Sequence, residues 1–267
     1  MYLTRGMRVA LRVITAVVLT VVYVPLVVVV INSFNSDRTF GWPPAGLTGE
    51  WWSRAAHNAG ALAALRTSVV VGLLSTAVAL VLGTLAAMSL QRYRFFGREA
   101  VSLLVILPIA LPGIVTGIAL NNAFRTVLGV PLSLLTLVVA HATFCVVVVF
   151  NNVIARLRRL GGDLEEASMD LGADGFTTFW RVTFPLLRTA LLAGGLLAFA
   201  LSFDEIIVTR FTASQSTTTL PIWILDNLFR PNQAPIVNVV ATVLVIASVI
   251  PIAIAQRLSG DPSGGRV

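Results

Sequence analysis

The amino-acid sequence predicts an all-α integral membrane protein with six transmembrane helices, in a single transmembrane domain over residues 1–267. The chain is 57% hydrophobic and only 12% charged, with a mean hydropathy of +0.89, which is too apolar for an ordinary water-soluble domain. Its apolar residues also come in runs of about 20, the length that a helix needs to cross a ~30 Å hydrocarbon core. Helices are expected because a backbone in lipid must satisfy its own polar groups.

The predicted spans follow the apolar runs, and each run has the length of one membrane crossing. They lie near residues 9–31, 66–90, 99–121, 133–154, 186–208 and 236–257. The first span follows a basic start, as the apolar part of a secretory signal does. We expect no cleavage, because the run extends to Ile31 and no small-x-small site precedes the polar segment after it.

The arginines predict the orientation of the spans. All 19 basic residues are arginines, and 13 of them lie on the side of the predicted membrane that holds both termini. By the positive-inside rule, that side is cytoplasmic. The arginines flank apolar runs and do not form one solvated stripe, so we expect membrane lipid and no nucleic acid as a partner.

Catalytic, redox and metal chemistry have little support in the sequence. Cys145 is the only cysteine and lies in an apolar run, so the chain cannot build a disulfide or a cysteine metal cluster within itself. The phosphate-binding pattern G-x-x-x-x-G-K-[ST] is also missing from the sequence. We therefore expect no cofactor, no metal and no ATP hydrolysis by this chain.

Two external segments are long enough to carry structure of their own. Residues 32–65 contain Trp42 and the pair Trp51-Trp52, which are typical either of interface anchors or of a docking surface. Residues 209–235 contain three prolines, which predict a folded-back, broken segment instead of one helix.

The cytoplasmic loop between the fourth and fifth spans, about residues 155–185, is predicted to contain a short helix. Asp163 with Glu166 three residues later fits a capping box, and Gly172 fits a left-handed stop. Asp174 is predicted to cap a second helical turn. The first helix carries a narrow apolar stripe at i, i+3, i+4 and i+7: Leu164, Ala167, Ser168 and Leu171. On composition alone, amphipathic helices on the membrane surface fit equally well.

This loop resembles the EAA-type cytoplasmic loop of ABC importer permeases. The resemblance covers Glu166-Ala167-Ser168, Gly172 and the segment 182–185, with Ser168 where a second alanine is usual. In that family the short helix docks in a groove of the ATP-binding subunit. The resemblance implies a type I ABC importer permease fold and these coupling residues: Glu166, Ala167, Ser168, Leu171, Gly172 and Pro185.

The resemblance extends to most of the chain. Residues 107–115, 200–209 and 219–223 are similar to the corresponding segments of the spermidine/putrescine branch of these permeases. This implies a multi-pass subunit of a bacterial plasma (inner) membrane importer. The implied partners are a second homologous permease subunit, two ATP-binding subunits and an external solute-binding protein. The branch also includes permeases for other solutes such as aminophosphonates.

Asp204 and Glu205 are the candidate solute residues. A charge at mid-bilayer costs about 2.5–3.5 kcal/mol on insertion scales, but Asp204 lies ~27 Å along the fifth span, near its outer edge. The alternatives are that the pair reaches water at the interface, that Glu205 bonds Thr209 one turn away, or that the pair forms an acidic mouth that attracts a polyamine. We expect Asp204 to be the more exposed to the pathway, with Phe203 beside it and Trp223 as a cation–π face.

Two other classes of protein fit the sequence less well. An intramembrane enzyme would need a catalytic constellation, but Glu165-Glu166 lies in a loop and His141 has no second histidine at helical spacing. His141 is instead predicted to be a pore-lining or hydrogen-bonded buried residue. A secondary transporter driven by an ion gradient also places carboxylates in helices, and the EAA-type loop is what argues against it.

Overall fold

A computed structural model describes residues 4–38, 41–230 and 232–258, with side chains described up to residue 249. Helices make up most of this part of the chain. They are α1 (Arg5–Asn32), α2 (Glu50–Ala56), α3 (Ala59–Arg92), α4 (Arg98–Ala110), α5 (Gly113–Asn122), α6 (Leu134–Leu160), α7 (Asp163–Asp170), α8 (Gly175–Thr178), α9 (Phe184–Phe203), α10 (Ile207–Thr212), α11 (Leu220–Asn227) and α12 (Ala234–Leu258). Two π-helical segments, Ala123–Val127 and Phe179–Thr183, follow α5 and precede α9.

Each of the six predicted spans coincides with an apolar helix or helix pair. Among the described residues, four helical runs are long and apolar enough to cross a membrane: Arg5–Asn32, Ala59–Arg92, Leu134–Leu160 and Gly175–Phe203. The bent pair α4–α5 supplies a fifth if it is one span, and α12 is the remaining apolar helix. The all-α, multi-pass architecture is therefore confirmed.

The described residues form two compact units. The first comprises the described parts of Met1–Leu62 and Ile224–Ile252. Within it, Trp51 is only 3% exposed and its indole N–H donates to the backbone oxygen of Asn35 at 2.8 Å. Trp52 stacks on Phe34, with ring centroids 5.2 Å apart. These two tryptophans therefore hold the external segment together, while Trp42 remains exposed.

The second unit comprises Ala63–Trp223 and the described part of Ala253–Val267, and α6 is its centre. α9 packs closely along α6 at Gly194. A Cβ atom added at this position would lie only 3.3 Å from Asn152 Cβ and from Val149 Cα. Cys145 is fully buried on α6, and its thiol donates to the backbone oxygen of Ala198 at 3.3 Å. Glycine thus allows two apolar helices to approach at the distance that membrane packing favours.

The sequence predicts one span near residues 99–121 with a kink at Pro108, Pro112 and Gly113, and the structure bends at this place so sharply that two separate helices result. α4 ends at Ala110 and α5 begins at Gly113, with an angle of 106° between them. Leu111 has extended backbone angles (φ −82°, ψ 143°), because the ring of Pro112 disfavours the helical region for the residue before it. A sequence window sees one apolar run here, whereas the proline divides it into two helices.

The prediction of one helix over residues 186–208 is wrong at its outer end. α9 stops at Phe203, and α10 begins only at Ile207. The Glu205 carboxylate accepts a hydrogen bond from Val208 N–H at 2.9 Å, which satisfies one of the free donors at the start of α10. Asp204 and Glu205 therefore lie in a turn between two helices.

Candidate functional site

The predicted cytoplasmic loop folds around the short helix α7, and its C-terminal stop is as predicted. Gly172 has φ +88°, its N–H donates to Met169 O at 2.9 Å, and Ala173 N–H donates to Ser168 O at 3.1 Å. This pair of bonds is a Schellman motif, which requires a left-handed residue at the glycine position. The backbone at Gly172 is therefore set by the way in which α7 ends.

The N-terminal end of α7 differs from the prediction. The N-cap is Gly162, without a side-chain cap, and Asp163 lies inside the first turn, so the predicted capping box is wrong. Glu165 and Glu166 donate their N–H groups to Gly162 O at 3.0 Å each. The carboxylates of this first turn still complement the positive end of the helix dipole.

Asp174 caps the next helix as predicted. Its carboxylate accepts a hydrogen bond from Thr177 N–H at 2.8 Å. Hydrogen bonds from the side chain and the backbone of Thr177 hold the pKa of Asp174 below its usual value. After α8, the chain passes through the π-helical segment to Pro185, which lies in the first turn of α9, where a residue without an N–H is tolerated.

The apolar stripe of α7 does not act as one surface. Leu164 and Leu171 are 55% and 90% exposed, and Ala167 and Glu166 are exposed beside them. Ser168 is half-buried instead, with its hydroxyl oxygen 3.1 Å from the hydroxyl oxygen of Thr178 in α8. α7 thus presents an exposed face of apolar and acidic residues, while Ser168 ties the helix to α8.

A second contact on the inner side of α7 involves residues that the sequence did not single out for function. Arg92, the last residue of α3, forms an ion pair with Glu165. The hydroxyl of Thr183 donates to the same carboxylate oxygen at 2.5 Å and accepts a hydrogen bond from Arg92 Nη2 at 3.1 Å. In the sequence, Arg92 is one of the 13 arginines that indicate the cytoplasmic side, and nothing in the local pattern pairs positions 92, 165 and 183.

His141 joins three helices near the outer end of the second unit. It is fully buried on α6, with Nδ1 2.8 Å from Ser202 Oγ of α9 and Nε2 2.9 Å from Thr209 Oγ1 of α10. The prediction that His141 is a hydrogen-bonded buried residue is confirmed. Thr209 in turn donates to the backbone oxygen of Glu205 at 2.8 Å, so His141 supports the turn that carries the two candidate acids.

The two acids differ in their surroundings. Glu205 is half-buried and caps α10, whereas Asp204 is exposed and its side chain forms no hydrogen bond or ion pair within the described residues. Phe203 is half-buried, and its ring lies 5.8 Å from that of Phe199. Trp223 lies in helix α11 and is 8% exposed. Asp204 is therefore the more exposed of the two candidate acids within the described residues.

The fold and the cytoplasmic loop define a membrane component of a transport system. Residues 79–260 match the family described as "Binding-protein-dependent transport system inner membrane component", and the chain belongs to this family. It is a multi-pass inner-membrane permease subunit and not an enzyme. As a member of the family, it works together with other permease, ATPase and solute-binding components.

Two known permease proteins are similar to this chain in sequence. The spermidine/putrescine transport system permease protein PotC of Escherichia coli (strain K12) is 34% identical over 243 residues, which are 91% of each chain. The putrescine transport system permease protein PotI of the same strain is 33% identical over 232 residues, 84% of this chain and 82% of PotI.

A solved structure has the same fold at low sequence identity. The chain superposes on one from a bacterial ABC transporter involved in the import of the acidic polysaccharide alginate, with a TM-score of 0.75 and 14% identity. The superposition covers 96% of this chain and 99% of that one. The expected type I ABC importer permease fold is thereby confirmed.

Proposed function

We propose that this chain is one of two permease subunits of a polyamine importer, and that Asp204 meets the cationic solute at the outer mouth of the pathway. The observation that carries the proposal is the exposed carboxylate of Asp204, which has no protein partner in the described residues. The names of PotC and PotI, which specify spermidine and putrescine, support a solute of this charge. A polyamine carries several ammonium groups, so an uncompensated carboxylate attracts and orients it.

In this proposal Glu205 stabilises the start of α10 and does not bind the solute. Its carboxylate is used by Val208 N–H, and a cap of this kind contributes about 0.5–2 kcal/mol to a helix. Trp223 is nearly buried within its unit, so the proposal gives it no direct contact with the solute. Phe203 is the last residue of α9, directly before the turn, and the proposal assigns it to the wall of the pathway.

The energy source lies in partner chains under this proposal. An external binding protein delivers the solute, a second permease subunit completes the pathway, and two ATP-binding subunits hydrolyse ATP. The exposed face of α7, with Glu166, Ala167 and Leu171, docks on one ATP-binding subunit. Closure of the ATPase dimer then shifts the permease from inward-open to outward-open, because ATP binds the closed dimer more tightly.

The test of the solute site compares Asp204→Asn with Glu205→Gln in the complete importer. Uptake of labelled spermidine below saturation is expected to fall about three- to tenfold in Asp204→Asn, since the variant loses a steering charge. Glu205→Gln keeps a side-chain oxygen for Val208 N–H and is expected to stay within about twofold of the parent. Membrane abundance and ATPase activity are measured for both variants.

Unlabelled competitors identify the solute class in the same assay. Excess putrescine should suppress spermidine uptake, whereas 2-aminoethylphosphonate should not. Spermidine uptake by Asp204→Asn at the parental rate would show that the acidic mouth is wrong. Suppression by the aminophosphonate with no effect of putrescine would move the chain to the alternative solute class.

A further inference from the structure

We propose that Arg92, Glu165 and Thr183 form a latch that transmits the movement of α7 to the membrane-spanning helices α3 and α9. The proposal rests on the proposed docking of α7 on an ATP-binding subunit and deepens it, since it identifies the residues through which the docked helix acts on the pathway. It assigns Glu165 to the inner side of α7, apart from the exposed docking face.

α7 has little apolar attachment to the rest of its unit. None of its residues is buried. It is flanked by two glycines with positive φ, Gly161 at +68° and Gly172 at +88°, and glycine is the residue with the widest backbone freedom. A helix held in this way can turn about its ends, so its orientation depends on its polar contacts.

The latch is a closed set of three polar atoms. Oε1 of Glu165 accepts from both Arg92 Nη2 and Thr183 Oγ1, and Arg92 Nη2 also donates to Thr183 Oγ1. Arg92 Nη2 donates twice and Glu165 Oε1 accepts twice, while the Thr183 hydroxyl donates to the carboxylate and accepts from the guanidinium. The arrangement therefore fixes Glu165 from two directions.

The partners of Glu165 lie at the ends of two spans. Arg92 is the last residue of α3, and Thr183 lies directly before Phe184, the first residue of α9. Thr183 is 1% exposed, so its position is set by the surrounding helices. A displacement of α7 that keeps the latch closed must pull on the foot of both membrane-spanning helices.

Because the latch is partly buried, its ion pair is expected to be stronger than one on the protein surface. The side chains of Glu165 and Arg92 are 19% and 31% exposed, whereas the fully exposed pairs that contribute little are screened by water and salt. Charge-assisted hydrogen bonds are also directional. Orientation of α7 is therefore the expected role of the latch, more than overall stability.

The first experiment measures solute imported per ATP hydrolysed by the complete importer in proteoliposomes. Arg92→Ala and Thr183→Val are each expected to lower this ratio about tenfold, the scale of one charge-assisted hydrogen bond, while ATPase activity persists. Thr183→Ser restores the hydroxyl and should recover the parental ratio. The control is Arg94→Ala, which removes a neighbouring exposed charge outside the latch and outside α7 and should leave the ratio unchanged.

Exchange of the two charges separates coupling from folding. If Arg92→Ala lowers assembly or ATPase activity as well, the double variant Arg92→Glu/Glu165→Arg decides between the two roles, because it restores opposite charges across the same gap. Recovery of the import ratio supports the latch. Loss without recovery in the double variant, or a parental ratio in both Arg92→Ala and Thr183→Val, overturns it.

A measurement without solute keeps this test independent of the polyamine proposal. Spin labels at Tyr93→Cys and Met169→Cys, both exposed positions, report the distance between the end of α3 and α7 in the complete importer. A narrow distance distribution is expected in the parent and a broad one in Arg92→Ala. Equal distributions overturn the latch even if spermidine is imported, while broadening supports it even if spermidine is not the solute.

Discussion

Gly172 ends α7 with a backbone conformation that side chains disfavour. Its φ of +88° is required by the two hydrogen bonds of the Schellman motif, and left-handed geometry costs an L-residue about 1–2 kcal/mol. A Cβ atom at this position would meet no other atom within 4 Å. The restriction at Gly172 is therefore conformational, and it is not caused by crowding.

This distinction predicts different outcomes for two substitutions of Gly172. Gly172→Val adds a β-branched side chain, which tolerates positive φ poorly, and we expect it to abolish coupling of ATP hydrolysis to uptake. Gly172→Asn should retain most of the coupling, because asparagine adopts the left-handed region more readily. Uptake and stimulated ATPase activity of the complete importer check both expectations, and parental activity of Gly172→Val would contradict them.

For single residues, the sequence predicted correctly those roles that depend on neighbours in the chain. Gly172 and Asp174 were assigned correctly because a helix stop and an N-cap depend on neighbouring residues. Ser168 was placed on the docking stripe, yet it bonds Thr178, because periodicity in an eight-residue helix does not show which side packs inward. The pairing of Arg92 with Glu165 was missed because the two residues are 73 positions apart in the sequence.

Helices α6, α9 and α10 meet at His141, which is the polar contact common to all three. Both ring nitrogens are used, by Ser202 Oγ at 2.8 Å and Thr209 Oγ1 at 2.9 Å. Removal of the imidazole leaves two hydroxyls without these partners in a buried place. An unsatisfied buried polar group costs about 1–3 kcal/mol, and part of this cost is offset where a hydroxyl can bond a backbone carbonyl.

His141→Ala is therefore expected to lower the unfolding temperature of the purified importer by about 5 °C. The matched control is His57→Ala, since His57 is exposed and its ring is hydrogen-bonded, at 2.8 Å, to the backbone oxygen of Ser53 four residues earlier. Thermal unfolding in one lipid or detergent system compares the two variants. Equal unfolding temperatures would show that His141 does not stabilise the junction of the three helices.

At the scale of elements, the apolar runs located the six spans and the prolines indicated the bend in the third, but the sequence did not reveal the break after Phe203. The break before α5 has a local signal in Pro112, whose effect on Leu111 is visible in the extended angles there. The break after Phe203 has neither proline nor glycine. It is accompanied by contacts of Ser202 and Thr209 with His141 in α6, and no short window of sequence contains these contacts.

The whole chain belongs to the binding-protein-dependent transport family, and the proposed mechanism takes its energy from ATP-binding partner subunits. Uptake by cells that contain the complete importer should fall to background when ATP is depleted, even with the membrane potential held constant. A carrier driven by an ion gradient would continue under that condition. Uptake that persists without ATP but stops with an ionophore would therefore contradict the importer mechanism.

The break between α4 and α5 limits where annular lipid can lie. It follows 13 residues of α4, or ~20 Å of helix, which is inside a hydrocarbon layer of ~30 Å. The last carbonyl groups of a helix lack partners within it, and residues 110–112 are exposed on this chain. Such backbone persists at membrane depth only against protein or water. This side of the subunit therefore belongs to the aqueous route or to a neighbouring subunit, and the surrounding shell of acyl chains must begin elsewhere on its surface.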